Sequence, residues 1–290
     1  MKNLTLIFAI TIVALITFTS CKKDKENIAD GNYKIEQAYS LSNISYGSDN
    51  QQKMDIYLPK NRNSSSTKVF VLVHGGGWNA GDKSDFISFV DNLKTLYPNH
   101  AIINLNYRLA TLVSPGYPKQ INDIKAALEH IKLPKYNVSN QFFMIGGSAG
   151  AHLSLMYGYK YDPTSEVKGI CNWVGPVDFT DPAYTEDPVF EYGLSYLVGP
   201  YTYTQNPSLH AEVSPALAVS STSPKTISFY GDNDNLIPSS QMNRLHNELD
   251  AKGVYNERSM YPGEGHGGWN QANSTDFVLK LANFINQHFN

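Results

Sequence analysis

The segment Gln141-Phe-Phe-Met-Ile-Gly-Gly-Ser-Ala-Gly-Ala-His-Leu-Ser-Leu-Met156 decides the fold. Its apolar beginning is typical of a buried strand, and its end is typical of a helix. Gly146-Gly-Ser-Ala-Gly150 lies between them, and its glycines permit a tight turn that exposes a serine hydroxyl at the start of the helix. The segment predicts a strand, a turn and a helix, with Ser148 as a candidate nucleophile. The alternative is that the glycines only pack the helix against the strand.

Apolar segments on both sides of this one extend the pattern. Further buried strands are predicted at 69–73, 101–105, 167–174 and 226–230. Helices with apolar residues three and four positions apart are predicted from Pro118 to Ile131, at 242–249 and at 277–285. Residues 43–58 predict an antiparallel hairpin at one sheet edge. The sequence therefore predicts an α/β fold with a mostly parallel central sheet and helices on both faces.

A second glycine motif, His74-Gly-Gly-Gly-Trp78, follows the strand at 69–73. Glycine backbone can bring N–H groups to a developing oxyanion without side chains in the way. Together with the Gly-x-Ser-x-Gly turn, this motif resembles the α/β-hydrolase superfamily, in particular its carboxylesterases with a His-Gly-Gly-Gly motif. The resemblance includes Asn106-Tyr-Arg-Leu109, Pro118 and Asp123, and it covers nearly all of the mature chain.

The resemblance implies an oxyanion hole formed by the backbone N–H groups of Gly76, Gly77 and Ala149. His74 is expected to position this loop, and Tyr107-Arg108 to brace it.

The resemblance also implies an acid and a base after the serine, in that chain order. The loop Gly231-Asp-Asn-Asp-Asn-Leu-Ile-Pro238 follows a predicted strand and matches the family pattern at Asp234, with Asp232 as the alternative. Gly263-Glu-Gly-His-Gly-Gly268 matches the loop of the catalytic histidine at His266. The expected triad is therefore Ser148, Asp234 and His266.

The remaining histidines are expected to have no catalytic role. A packing role is expected for His152, and surface positions are expected for His100, His130, His246 and His288.

Residues 178–223 are expected to form a small cap insert, and this segment is rich in aromatic residues. A substrate role is predicted for Tyr192 and Tyr196 in the cap and for Trp78 and Trp269 beside the two loops; the alternative is that these rings only pack locally. The segment 46–59 and the His-Gly-Gly-Gly-Trp motif most resemble those of bacterial feruloyl and acetyl xylan esterases. The predicted activity is hydrolysis of short acyl or feruloyl esters, on polysaccharide. Alternatives are a serine peptidase or arylformamidase of the same fold, or a catalytically silent glycan-binding lipoprotein.

The N-terminal residues predict export. Residues 1–20 have the basic start, short apolar stretch and small-residue end of a signal peptide. Ser20-Cys21 resembles a bacterial lipoprotein signal, which implies lipidation of Cys21, a tether at 21–40 and a hydrolase domain at 41–290. The expected location is the bacterial envelope, with the protein facing the periplasm or displayed at the cell surface.

Composition excludes several other classes. The net charge of −3 and the absence of a long basic block exclude a nucleic-acid footprint. Two cysteines, Cys21 and Cys171, are too few for a disulfide framework or a multi-cysteine metal site, and Cys171 is expected to be a buried apolar residue. The predicted chemistry requires no metal and no cofactor.

Overall fold

The computed structural model describes residues 33–290. The predicted signal peptide and the lipidation residue Cys21 therefore lie outside the described residues. Within 33–290, none of the helices combines the length and apolar character needed to cross a membrane.

A single sheet of eight strands forms the centre of the described domain. The strands are β1 (Tyr39–Ser45), β2 (Lys53–Leu58), β3 (Val69–Val73), β4 (Ala101–Leu105), β5 (Phe142–Gly147), β6 (Val167–Trp173), β7 (Lys225–Gly231) and β8 (Asn256–Tyr261). Their order in the sheet is β1-β2-β4-β3-β5-β6-β7-β8. The hairpin of β1 and β2 is antiparallel and β2 pairs antiparallel with β4, whereas all other pairs are parallel.

Within residues 33–290, eight α-helices connect the strands or cover the sheet. They are α1 (Ile87–Leu96), α2 (Lys119–Ile131), α3 (Ala149–Met156), α4 (Pro182–Thr185), α5 (Pro188–Val198), α6 (Pro207–Glu212), α7 (Ser240–Ala251) and α8 (Gln271–His288). The predicted α/β architecture, with its mostly parallel sheet and its edge hairpin, is confirmed.

Both faces of strand β3 are covered, which explains why its sequence is a continuous run of apolar residues. All five of its residues are buried, and successive side chains point to opposite faces of a strand. Val69, Val71 and Val73 pack into the core on one face of the sheet, and Phe70 and Leu72 pack into the core on the other. A strand covered by helices on both faces has no side that can be polar.

The segment 33–40, which the sequence analysis places in the tether, belongs to the folded domain. The buried Arg62 guanidinium donates to the backbone carbonyls of Tyr33 (2.7 Å), Gln37 (2.8 Å) and Tyr136 (2.9 Å). The rings of Tyr33 and Tyr136 also stack, with centroids 5.6 Å apart. These bonds attach the segment to the body, because a buried guanidinium needs acceptors for its donors.

Residues 178–223, the cap, lie between β6 and β7. They contain α4, α5, α6 and a short 3₁₀ turn at Pro215–Ala218. Arg244 on α7 binds Asp178 at 2.6 Å and Asp181 at 2.7 Å, and both carboxylates are buried. The cap is therefore attached by ion pairs to the helix that follows the Asp234 loop.

His246 lies inside the protein, so its expected surface position is wrong. Its side chain on α7 is fully buried, and Nδ1 lies 2.6 Å from Oδ1 of Asn256. Burial lowers the pKa of His246 to about 4. The sequence does not indicate this burial, because the contact comes from Asn256 at the start of β8.

The buried His246 predicts a loss of stability in acid. Between the ordinary histidine pKa of about 6.5 and the folded value, the unfolded chain takes up a proton that the folded chain does not. The stability contributed by neutral His246 is therefore complete above about pH 6.5 and is lost as the pH falls towards 4. We expect His246→Gln to reduce the pH dependence of the unfolding free energy by on the order of 2–3 kcal/mol over this interval. Urea titrations from pH 7 to pH 4 measure it, and an equal slope in variant and wild type would contradict the assignment.

Candidate active site

The turn between β5 and α3 holds Ser148 in a conformation that few residues adopt. Its φ is 52° and its ψ is −122°, and its backbone N–H donates to the carbonyl of Trp173 at 2.8 Å. A Cβ on Gly150 would lie 2.1 Å from the carbonyl oxygen of Val73, so only glycine allows the start of α3 to approach the end of β3 this closely. The sequence pattern and the local geometry thus agree on a strained, glycine-dependent turn at Ser148.

The structure brings the three predicted triad residues together. His266 Nε2 lies 2.9 Å from Ser148 Oγ, and His266 Nδ1 lies 2.8 Å from Asp234 Oδ2. The Asp234 carboxylate is fully buried, and its Oδ1 accepts from the backbone N–H groups of Leu236 (2.8 Å) and Ile237 (2.9 Å). These bonds hold the carboxylate in one orientation, which in turn orients the imidazole towards the serine.

Asp232, the alternative acid, has a different partner. Its Oδ1 accepts from the backbone N–H of Gly263 at 2.6 Å. It therefore joins the loop after β7 to the loop that carries His266, and the geometry favours Asp234 as the acid.

The buried Glu264 anchors the histidine loop. Its Oε1 accepts from the backbone N–H of Asn270 at 3.0 Å and from the side-chain amide of Asn273 at 2.7 Å, where α8 begins. A Cβ on Gly231 would lie 2.1 Å from the Glu264 carbonyl oxygen, so the loops of the acid and the base are in close contact. Sequence reasoning did not single out Glu264, although a glutamate inside a glycine loop just before a helix start was visible.

The glycine loop at 74–78 lies directly against the serine. A Cβ on Gly75 would be 3.2 Å from Ser148 Cβ, and Gly76, Gly77 and Trp78 all have positive φ, at 107°, 54° and 65°. Within the described part of the chain, the backbone N–H groups of Gly76, Gly77 and Ala149 have no hydrogen-bond acceptor.

Residues outside the loop fix its shape. The Tyr107 hydroxyl donates to the His74 carbonyl at 2.8 Å, and the two rings stack with centroids 4.3 Å apart. The Trp78 carbonyl accepts from Gln120 Nε2 at 2.7 Å and from the Ala110 N–H at 2.9 Å. The bracing expected of Tyr107 is therefore present as a direct bond, and Gln120 is a further brace that the sequence did not indicate.

Arg108, expected to brace the loop with Tyr107, makes its ion pair elsewhere. Its guanidinium binds the buried Asp123 carboxylate at 2.6 Å, and its own carbonyl accepts from Gln120 Nε2 at 2.9 Å. Arg108 thus acts on the glycine loop only through Gln120.

The two predicted pocket tryptophans are largely buried and use their indole N–H groups internally. Trp78 donates to His152 Nδ1 at 3.1 Å, and Trp269 donates to the Gly265 carbonyl at 2.9 Å. The Trp269 ring also packs on Tyr261, with centroids 4.8 Å apart. These contacts correspond to the local packing alternative, with Trp269 supporting the histidine loop.

The aromatic residues of the cap divide into two groups. Phe179 and Tyr184 are buried, and Phe179 packs on Trp78 with ring centroids 5.9 Å apart. Tyr192 is 61% exposed on α5, and its ring lies edge-on to that of the half-buried Tyr196 at 6.1 Å. The first group packs the cap onto the body, and the second presents rings at the surface.

The arrangement is suited to proton transfer from a hydroxyl. An imidazole between a buried carboxylate and a serine can accept the serine proton and return it, and free backbone N–H groups next to the serine can bind a negatively charged oxygen. Among residues 33–290, no three His, Cys, Asp or Glu side chains are grouped so that they could hold a metal ion.

Comparison with known proteins identifies related chains. Esterase LipC of Mycobacterium tuberculosis is 25% identical over 241 residues, which are 77% of this chain and 59% of that protein. Kynurenine formamidase of Danio rerio is 25% identical over 144 residues, which are 45% of this chain and 44% of that protein. The alignments thus span about half the length of these curated relatives.

A solved structure shares the fold over most of this chain. It is described as a truncated form of a carbohydrate esterase from gut microbiota and superposes with a TM-score of 0.68 at 24% identity, covering 87% of this chain and 99% of its own. The α/β-hydrolase fold expected from the sequence is therefore confirmed.

The family assignment rests on a longer match. The BD-FAE family profile matches residues 54–249, more than half of the chain, from β2 into α7. The match includes the glycine loop, Ser148, the cap and Asp234. The chain belongs to the BD-FAE family of α/β-hydrolases.

Proposed function

We propose that this protein is a serine carboxylesterase. The observation that carries the proposal is the hydrogen-bonded series Ser148–His266–Asp234, with distances of 2.9 Å and 2.8 Å, next to three backbone N–H groups that have no acceptor among residues 33–290. Membership in the BD-FAE family and similarity to esterase LipC support the same activity.

The mechanism follows from the positions of the atoms. His266 Nε2 takes the proton of Ser148 as Oγ attacks the ester carbonyl, and Asp234 holds the imidazole and stabilises its charged form. The carbonyl oxygen becomes negative and is bound by the N–H groups of Gly76, Gly77 and Ala149. Collapse expels the alcohol with the proton from His266 and leaves an acyl-Ser148, which water hydrolyses by the same steps.

Replacing the nucleophile tests this proposal. We expect Ser148→Ala to lower kcat by at least about 10³-fold, because the variant loses the nucleophilic oxygen. The melting temperature should stay near that of wild type, because the substitution removes one oxygen atom from a half-buried residue. The matched control is Ser139→Ala, since Ser139 is a buried serine just before β5 whose hydroxyl has no hydrogen-bond partner among residues 33–290. The assay is hydrolysis of p-nitrophenyl acetate. Turnover of Ser148→Ala within about tenfold of wild type would refute the assignment.

We further propose that the substrates are short acyl or feruloyl esters on polysaccharide. The exposed Tyr192 ring beside Tyr196 offers a flat surface of the kind that sugar rings or a ferulate ring can contact. Carboxylates are interspersed with the rings of the cap at Glu186, Asp187 and Glu191, so a continuous apolar groove for long acyl chains is not expected.

Acyl chain length tests the substrate class. We expect kcat/KM to fall as the acyl chain grows beyond about four carbons, because a short site gains none of the roughly 0.8 kcal/mol available per buried methylene. The measurement compares acetyl, butyryl, feruloyl and lauroyl esters of one alcohol. More efficient cleavage of the lauroyl ester than of the acetyl and feruloyl esters would indicate a lipase.

A second candidate, hydrolysis of an arylformamide, is favoured by the similarity to kynurenine formamidase. The same serine, histidine and oxyanion N–H groups cleave amides and esters. Comparing kcat/KM for an N-formyl aniline with that for the matching phenyl formate separates the two. A serine peptidase would instead cleave internal peptide bonds, and a silent glycan-binding protein would bind sugar without hydrolysis.

Attachment to the bacterial envelope through lipidated Cys21 is also a proposal. It rests on the sequence of the first 26 residues, which includes Ser20-Cys21 and the charged run that follows.

Removing the thiol tests this attachment. We expect Cys21→Ala to move the protein from the detergent-soluble membrane fraction to the aqueous fraction after phase separation, because the acyl chains are lost. Cys171→Ala is the matched control, since Cys171 is a free, buried thiol. Unchanged membrane partition of Cys21→Ala would contradict lipidation at this residue.

A further inference from the structure

We propose that His152 is a positioning residue that joins the cap to the glycine loop and thereby holds the oxyanion N–H groups in place. The proposal rests on the proposed esterase function, because the N–H groups of Gly76 and Gly77 matter only if an oxyanion forms. It assigns a function to a histidine that is outside the triad.

Three parts of the molecule meet at His152. It lies on α3 four residues after Ser148, and its backbone N–H donates to the Ser148 carbonyl at 3.1 Å. Its Nε2 lies 2.8 Å from the carbonyl oxygen of Val213 in the cap, and its Nδ1 lies 3.1 Å from the indole Nε1 of Trp78. The ring is 1% exposed and packs edge-on against Phe179, with centroids 5.2 Å apart.

The two partners of the ring dictate where its proton lies. The Val213 carbonyl can only accept a hydrogen bond, and the Trp78 indole N–H can only donate one. Nε2 therefore carries the proton and Nδ1 carries the lone pair, and this neutral tautomer alone satisfies both partners. Burial lowers the pKa of His152 to about 4, which agrees with a neutral ring at neutral pH. The cap carbonyl thus selects the tautomer that can accept from the glycine loop.

The bond to Trp78 acts on the oxyanion donors through the backbone. Trp78 directly follows Gly76 and Gly77 and has a φ of 65°, a value that a bulky residue keeps only when its surroundings enforce it. Gln120 and Ala110 hold its carbonyl, and His152 holds its side chain. Loss of the indole bond removes one of these restraints on Trp78. The neighbouring N–H groups of Gly76 and Gly77 can then shift, and their stabilisation of the oxyanion depends on donor–acceptor distances within a few tenths of an ångström.

Two substitutions separate this role from simple packing. The side-chain oxygen of asparagine can occupy the position of Nδ1, so His152→Asn keeps an acceptor for Trp78 and loses the bond to Val213. The amide nitrogen of glutamine can reach the position of Nε2, so His152→Gln keeps the donor to Val213 and loses the acceptor for Trp78. Each variant removes one buried hydrogen bond.

The expected kinetic effects differ between the two variants. We expect His152→Gln to lower kcat about 10-fold or more with KM changed less than about threefold, because an oxyanion donor is displaced. We expect His152→Asn to keep kcat within about threefold of wild type and to raise KM, since the cap loses a contact. Trp78→Phe removes the donor and should lower kcat as His152→Gln does, with no further loss in the double variant. His246→Gln is the control, because it alters a buried neutral histidine away from the site and should keep kcat.

A second measurement is independent of activity. In protein labelled with ¹⁵N-tryptophan, the Trp78 indole N–H, assigned from Trp78→Phe, should exchange slowly with solvent in wild type and His152→Asn, and faster in His152→Gln. Equal kcat in the asparagine and glutamine variants, kcat values that only follow melting temperature, or equal exchange in all variants would overturn the role of His152. If the His152 variants do not fold, two measurements still test the proposal: the exchange of the Trp78 indole N–H in wild type and the kcat of Trp78→Phe. Rapid exchange in wild type, or an unchanged kcat in Trp78→Phe, would also overturn the role of His152. If wild type shows no Ser148-dependent hydrolysis but the indole N–H exchange follows the expected pattern, the esterase function alone is refuted.

Discussion

The close contact between Gly150 and the end of β3 is the constraint on which the rest of the site depends. A Cβ at Gly150 would lie 2.1 Å and 2.4 Å from the carbonyl oxygens of Val73 and His74. Because α3 begins this close to β3, Ser148 is placed against the glycine loop that continues from the same strand. Nucleophile and oxyanion donors therefore occupy one corner of the sheet, and their distance is fixed by backbone rather than by flexible side chains.

Backbone contacts at the edge of the sheet also bring the acid, Asp234, and the base, His266, to this corner. Parallel strands end at the same edge of the sheet, so the loops after β5, β7 and β8 meet there. The contact of Gly231 with the Glu264 carbonyl brings the loops after β7 and β8 together. The bond of Glu264 to the start of α8 holds the loop of His266 beside Asp234. The catalytic distances are the consequence of several glycine contacts distributed along the sheet edge.

The sequence predicted the parts of this arrangement that depend on local rules. The five apolar residues 69–73 predicted a doubly covered strand, and the glycines around Ser148 predicted the turn. The resemblance to the α/β-hydrolase pattern in 231–238 favoured Asp234 over Asp232, in agreement with the geometry. The roles of these residues in catalysis remain predictions.

Features that depend on distant partners could not be predicted in this way. The burial of His246, the indole bond of Trp78 and the attachment of residues 33–40 by Arg62 are set by side chains or carbonyls that tertiary structure brings together. The sequence around a histidine or tryptophan does not indicate which distant group its side chain will bind. His152 illustrates this, because its two partners lie 74 and 61 residues away in the chain.

The most direct test of the account is the site and rate of covalent labelling by a fluorophosphonate, followed by intact mass and peptide mapping. The account predicts one phosphonyl group per chain, located on Ser148, since among residues 33–290 only this hydroxyl is hydrogen-bonded to an imidazole that a buried carboxylate orients. It also predicts that His266→Gln is labelled at least about 100-fold more slowly, because the serine then keeps its proton. Labelling at another residue, or an unchanged rate in His266→Gln, would contradict the account.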